Sequence, residues 1–493
     1  MFPVTLHTLN EWFSTRSFCR KWRSTTAMLI TSASLAFGGI VTSGQEAISL
    51  FNSGSETPFL APAIPSPTDE PNAASVDPIE ARFLQMQQEL DQLKASLDMS
   101  DRKADAAKAT ADKALKPAAV TYPTAKLTGF FQMDAGWFRQ DAASTAQVGD
   151  IQDDRGFRRA RLAAVGKVAD NVSYMLEMDF AFVGRPSFMD VWMDVSKVPL
   201  FGNVRVGQYR MPFGMDELTS VKELTFLERP LTQPMGPFRQ IGIGFHDNTD
   251  DENITWAAAA FGSATDAFAN SIGDRGYGLA SRITGVVAED KSADFLVHTG
   301  FGYSYIATPD STVQYRHTPE YAGQFTGVVG DVPFFTDTGV LPAENSSLFN
   351  GELASTWGSW HAQSELRYNI VNLTSGSVAA FPSFYAQGGY ILTGEHRPYN
   401  KAGAVLGRVK PRCPVGVHGG GIGAWELACR YSLVDLNDGA IKGGSLHDMT
   451  YGLNWYLNDF TKFQFNYIQA DLNRAPTGDS RTDIFAVRAQ LDF

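Results

Sequence analysis

The 493-residue chain is poor in cysteine, with only Cys19, Cys413 and Cys429, which excludes a disulfide-built scaffold. It has no surplus of positive charge. Lys and Arg total 41 against 53 Asp and Glu, a formal charge of −12, and this excludes the basic stripe of a nucleic-acid binder. Beyond residue 45 no uncharged run reaches the ~18 apolar residues a spanning helix needs. Together with a mean hydropathy of −0.16, this excludes a multi-helix membrane protein. There is no Cys/His cluster with zinc spacing and no phosphate-cradling Gly-Lys-Ser/Thr loop, so neither a metal nor a cofactor is expected. The histidines within candidate strands, His246, His298, His361 and His447, have no nucleophile partnered by spacing, which argues against an enzyme. A soluble globular protein or a transmembrane β-barrel remains, since barrel spans are too polar on average to register in hydropathy.

Arg16, Arg20, Lys21 and Arg23 precede an apolar stretch, Ala27 to Val41, the order of a secretory signal peptide. We expect residues 1–36 to be removed, with cleavage as late as residue 44 as the alternative. Cys19 leaves with this segment, and the spacing of Cys413 and Cys429 does not decide whether they pair. Residues 37–79 read as an extended linker, because Pro58, Pro62, Pro65, Pro67, Pro71 and Pro78 oppose both helix and strand. Behind it, Phe83, Met86, Leu90, Leu93, Leu97, Ser100, Ala104, Ala107, Ala111 and Ala114 alternate three and four residues apart. That a/d seam predicts a coiled-coil helix over 80–116, ended by Pro117, with a lone amphipathic helix as the alternative. Its alanine-rich second half buries little area, so its self-association needs another interface.

From Leu127 onward the dominant period is two. Val172, Tyr174, Leu176, Met178 and Phe180 oppose Ser173, Glu177 and Asp179; Phe463, Phe465 and Tyr467 oppose Lys462, Gln464 and Asn466. Such runs, about nine to eleven residues long, match a tilted strand crossing a bilayer. Sixteen segments can be counted, among them a poor one at 238–246, where Arg239 shares the parity of Ile241 and Ile243. The expected fold is all-β: a transmembrane antiparallel barrel of about sixteen strands over 125–493. One apolar parity faces lipid and the other faces water, with short turns at one rim and long connections, including 306–345 and 396–422, at the other. A closed barrel is required because hydrocarbon leaves no partner for an open sheet edge. Aromatic residues near strand ends (Trp137, Phe182, Trp455, Phe463, Tyr467) suit interfacial girdles. The chain stops on Phe493 inside an alternating strand.

Several stretches resemble the phosphate-selective porin O and P family: Arg158-Arg159-Ala160-Arg161-Leu162, Gly207-Gln208-Tyr209-Arg210-Met211-Pro212-Phe213-Gly214, Leu392-Thr393-Gly394-Glu395-His396-Arg397-Pro398-Tyr399 and Gly452-Leu453-Asn454-Trp455-Tyr456-Leu457-Asn458. The resemblance implies a trimeric outer-membrane porin passing small anions such as phosphate, with residues 211–237 folded inward as the constricting loop. It also implies a lysine-rich constriction for phosphate, to which only Lys222 corresponds. By parity and position, the pore-lining candidates are Arg159, Arg161, Arg205, Arg210, Lys222, Arg229, Arg282, Arg367 and Arg430, with the acids Glu177, Asp179 and Glu395. Acids and bases nearly balance, so anion preference does not follow from the total. Arginines could set it at the neck, or pair with the acids and merely hold the wall. Expected partners are the lipid bilayer, two further copies of the chain, permeating small anions and, through the helix, peptidoglycan. In the alternative reading the barrel is only an anchor for a periplasmic tether.

Overall fold

The computed structural model describes residues 78–114, 121–181, 184–263, 276–321, 323, 332–416 and 420–493. The expected signal peptide and most of the proline-rich linker lie outside the described residues. Helix α1 runs Pro78–Ala114, with proline in its first turn beside Glu80. Its seam residues Phe83, Met86, Leu90, Leu93 and Leu97 are each more than half exposed.

A second unit begins at Tyr122 and carries sixteen long antiparallel strands. They are β1 (Lys126–Gln140), β2 (Asp154–Ala169), β3 (Val172–Asp179), β4 (Ser187–Val198), β5 (Gly202–Arg210), β6 (Arg239–Asn248), β7 (Ile254–Gly262) and β8 (Tyr277–Asp290). The second half comprises β9 (Phe295–Ala307), β10 (Leu341–Trp357), β11 (Trp360–Leu373), β12 (Val378–Ile391), β13 (Ala424–Asp438), β14 (Ile441–Tyr456), β15 (Thr461–Arg474) and β16 (Gly478–Asp492). Each pairs with the next, and β16 returns to β1 in a register running from Phe130↔Asp492 to Gln140↔Thr482. Gly129 and Phe493 exchange main-chain hydrogen bonds at 3.0 and 3.1 Å, so the terminal residue completes the seam. The weakly patterned segment at 238–246 is strand β6.

The barrel is inside-out relative to a soluble protein. On β15, Lys462, Gln464 and Asn466 are buried, whereas Phe463 and Phe465 are partly open and Tyr467 is exposed. An outer band of exposed Leu, Phe and Trp of this extent is unfavourable in water and suits hydrocarbon. Near one rim, Trp425, Trp455 and Phe463 stack across β13, β14 and β15, and Trp360 packs on Tyr390 between β11 and β12. Cys429 is an exposed free thiol on β13, so it forms no pair with Cys413.

Two expectations require correction. The first concerns the rims. Short turns do gather where the chain enters and leaves the barrel, here called the terminal rim, at 170–171, 199–201, 249–253, 291–294, 358–359 and 457–460. The long connection 392–423, however, lies on that same rim, while 211–238 and 308–340 lie on the opposite, distal rim. Long connections therefore enter the lumen from both ends. The second concerns the inward parity, which is not wet throughout. On β11–β16 its distal part turns apolar: Val371, Phe381, Val434, Leu446, Ile468 and Ile484 are fully buried. They pack on Leu227 and Leu231 of loop 211–238 and on Tyr315 and Phe335 of loop 308–340 in a dry core. Sequence alternation cannot report this, because a strand covered on both faces reads as continuously apolar.

Candidate functional site: the lumen and its inner loop

Loop 211–238 folds into the lumen as expected and is buried along most of its length. It has little regular structure beyond two short turns, α2 (Met215–Leu218) and a 3-10 turn at Gln233–Met235, so its main-chain groups need partners from elsewhere. The wall supplies them. Lys462 Nζ donates to Leu224 O at 3.0 Å, Asn454 to Thr225 O at 2.8 Å, and Gln132 to Val221 O at 3.2 Å. The Asp216 main-chain N–H donates to the Glu365 carboxylate at 2.7 Å.

Ion pairs then fix the loop. Glu217 receives Arg367, whose Nη2 lies 2.5 Å from Oε2; Arg367 also contacts Glu365 at 3.1 Å. Glu228 receives three guanidinium groups: Arg158 at 3.0 Å, Arg159 at 2.9 Å and Arg488 at 2.7 Å. Burial alone would raise the Glu228 carboxyl, but Arg158, Arg159 and Arg488 outweigh it and hold the group well below its ordinary value near 4.5. Segment 392–423 braces the loop from the terminal side, where Arg408 grips Glu223 at 2.7 Å and Asp492 at 2.6 Å.

Two chambers flank the loop. The distal one, about 340 Å³, is lined by Arg158, Arg159, Arg161, Arg229, Arg239 and Arg316, against the acids Glu228 and Glu320. The terminal one, about 550 Å³, is bounded by β5–β8, the inner loop and segment 392–423, and includes Arg205, Arg210 and Arg282.

The candidate residues thus divide. Arg161 binds Asp179 at 2.8 Å and reaches Glu177 at 3.7 Å, so these acids balance an arginine at the distal chamber wall. Arg229 binds Asp216 at 3.0 Å. Arg205 gives only its Nε to Asp194, at 2.9 Å, and lies flat over Trp192, 4.2 Å from the ring centre. Arg210 donates to the carbonyls of Glu217, Leu218 and Thr219 at 2.9–3.0 Å, the negative end of the α2 turn, rather than to a carboxylate. Arg282 is closed off by Glu352 at 2.7 Å and the Ala404 carbonyl at 2.8 Å. Lys222 lies 3.9 Å from Asp492. Arg367 and Arg430 are fully buried, the latter against Glu320 at 2.6 Å, and line neither chamber. Glu395 lies beyond β12, buried in segment 392–423, where it accepts from the Arg412 main-chain N–H at 3.0 Å.

Sequence alternation missed Arg158 and Arg239. Gln132 pairs with Arg159 and Met133 with Phe157, leaving Arg158 as the extra residue of a β-bulge, which turns two consecutive arginines toward the lumen. Arg239 has the outward parity but sits at the start of β6, where the chain leaves the inner loop, and reaches Asp190 at 3.0 Å. The doubled arginine was visible; the bulge that gives it meaning was not. Lys462, Arg397 and Arg408 were also missed, although Lys462 has the inward parity.

A closed sixteen-strand barrel with an apolar outer band, a charged interior and an inward loop defines an outer-membrane channel. The chain belongs to the phosphate-selective porin O and P family, whose model matches residues 125–493. Among curated relatives, it is 27% identical to "Porin O" of Pseudomonas aeruginosa over 401 residues, covering 75% of this chain and 88% of that one. It is 28% identical to an uncharacterized protein of Caulobacter vibrioides over 386 residues, 75% of this chain and 74% of the other. Solved structures similar to it include OmpT of Vibrio cholerae, at 10% identity and a TM-score of 0.48 over 76% of this chain and 100% of that one. An anion-selective porin from Comamonas acidovorans aligns at 14% identity and a TM-score of 0.43, over 75% of this chain and all of that one.

Proposed function

We propose that the protein is a passive porin for small hydrophilic solutes that prefers anions. The carrying observation is the distal chamber, where six arginines meet two acids within about 340 Å³. Low-dielectric walls concentrate the field of such a cluster and raise the local concentration of counter-ions. Guanidinium groups suit this role because they stay charged and bind oxyanions in a planar fork. The formal charge of the whole chain, −12, does not oppose it, because selectivity follows the groups that line the narrow part rather than the total. Phosphate belongs to the permeant class, but Lys222 is the inner loop's only lysine and faces Asp492, so we assign small anions in general rather than phosphate alone.

In this reading the terminal rim faces the periplasm, where α1 also lies. The protein is a homotrimer, its α1 seam zipping three copies through Phe83, Met86, Leu90, Leu93 and Leu97. No observation favours a barrel that serves only as an anchor. The test is a planar bilayer under a KCl gradient. Steady ohmic steps with a reversal potential displaced toward that of chloride support the assignment, and replacing Arg158 and Arg161 by Ala together moves it toward zero. A displacement toward potassium removes the anion assignment while keeping the pore.

A further inference from the structure

The terminal chamber differs in kind from the distal one. Along its β6–β8 side Gly244, Ala257 and Ala259 form a small-residue strip, bordered by the polar side chains His246, Asn248, Thr255 and Arg282. Tyr209 and Phe261 close on Ala259 and Ala280 in a buried apolar cluster reaching Trp192. Tyr209 covers the Gly244 end of this strip, where an added Cβ would stand 2.7 Å from its hydroxyl and 2.8 Å from Ala259 Cβ, so the open part lies at the half-buried Ala257.

Beside this strip Arg210 and Arg282 are spent on carbonyl and carboxylate partners and the acids Glu223 and Asp247 also line the chamber, which leaves Arg205 as the arginine there with its outer edge open. The Arg205 guanidinium stacks on Trp192 and lies 5.7 Å from the Tyr209 ring centre. It spends Nε on Asp194, and its two terminal amino groups take no protein partner among the described residues. Its side chain is 28% exposed, against 8% or less for Arg159, Arg161 and Arg229. A flat apolar wall beside a guanidinium whose outer edge is open is a surface for a molecule with one anionic end and one planar apolar end. At about 550 Å³ the chamber has the volume of a small-molecule site.

We propose that the terminal chamber is a selectivity subsite for small aromatic or similarly flat organic monoanions, with the carboxylate or phosphonate on Arg205 and the ring against Ala257 and the Tyr209 side chain. This rests on the anion-preferring reading above and narrows it. Inorganic anions cross the chamber but gain nothing from its apolar side. An organic anion gains the burial of one ring face as well as the charge contact.

The experiment uses the full-length channel in a planar bilayer and reads block of KCl current by added benzoate, with acetate of equal charge as the reference. In the wild-type channel benzoate should half-block at about ten-fold lower concentration than acetate, the free energy of covering one face of a ring. Ala257→Asp should abolish that difference. Arg205→Ala should weaken block by both anions. Equal half-blocking concentrations of benzoate and acetate in the wild-type channel would overturn the subsite while leaving anion preference intact. A benzoate advantage that survives Ala257→Asp would place the aromatic contact elsewhere and overturn it too. Failure of the underlying reading is distinguished by the KCl reversal potential, which would then lie on the potassium side.

Discussion

The two sides of the lumen use the same residue types for opposite purposes. Along β10–β16, arginines are sunk and saturated: Arg367 lies between Glu217 and Glu365, Arg430 against Glu320, and Arg488 between Asp134 and Glu228, each 2% exposed or less. Above them the inward parity turns apolar and packs on the loops. Along β5–β8 the wall carries the small residues Gly244, Ala257 and Ala259, and Arg205 there borders an open chamber, while Arg158 and Arg159 of β2 join the other side in clamping Glu228. The first side is a foundation holding the inner loop in place; the second is the route past it. An arginine's role is thus decided by how much of its fork is already occupied, and a count of charges cannot reveal that.

The largest effect should come from striking the foundation. Glu228→Ala removes the shared acceptor of Arg158, Arg159 and Arg488, leaving Arg488 to Asp134 and Arg159 to Gln132. Breaking a buried pair costs about 3–5 kcal/mol. We expect loop 211–238 to loosen, giving larger and noisier single-channel steps; unchanged steps would remove the foundation role. Arg367→Ala should cost a similar amount by stranding Glu217 and Glu365, read as a fall in the heat resistance of the folded barrel in detergent. Arg205→Ala, on the open side, should cost roughly 1 kcal/mol or less, as half-exposed pairs do, yet move the reversal potential. If the two variants were equally destabilising, the division between sides would fail.

A smaller effect concerns pH. The Glu228 carboxyl is held well below 4.5, so the stability it gives the loop is present above its ordinary range and is lost only as pH falls through the depressed value. Burial raises the Asp216 and Glu217 carboxyls of the same loop, so the Glu228 contribution is read as the conductance difference between wild type and Glu228→Gln; that difference should be flat between pH 7 and 4.5, and a step in it would show that the clamp is not ionised as described. The smallest effect is expected from Leu90→Ser with Leu93→Ser on α1: weaker association of copies by sedimentation, with single-channel conductance unchanged.

Much of the barrel was legible because the hydrocarbon boundary imposes a strict period of two, as on β15, where Phe463, Phe465 and Tyr467 oppose Lys462, Gln464 and Asn466. The same rule misleads where the boundary is absent. Arg158 and Arg239 violate the alternation, one at a bulge and one at a strand start, and both face the lumen. Ile468 and Leu472 keep the inward parity of Lys462 but are apolar, because loops cover them. Segment 392–423 carried the family-like run Leu392–Tyr399 but otherwise read as a long rim connection. Its rim follows from counting strands, but its docking on Glu223 through Arg408 depends on tertiary contacts that no local pattern encodes.

The division between a sealed side and an open side can be tested by thiol access. In a background carrying Cys429→Ser, Arg205→Cys places a thiol in the terminal chamber, and Thr450→Cys places one beneath Glu320, where Thr450 donates to that carboxylate at 2.6 Å. A small negatively charged methanethiosulfonate added during single-channel recording should block the Arg205→Cys channel stepwise and leave the Thr450→Cys channel untouched. Block at Thr450→Cys with none at Arg205→Cys would put the permeation path on the wrong side of the inner loop and contradict the account.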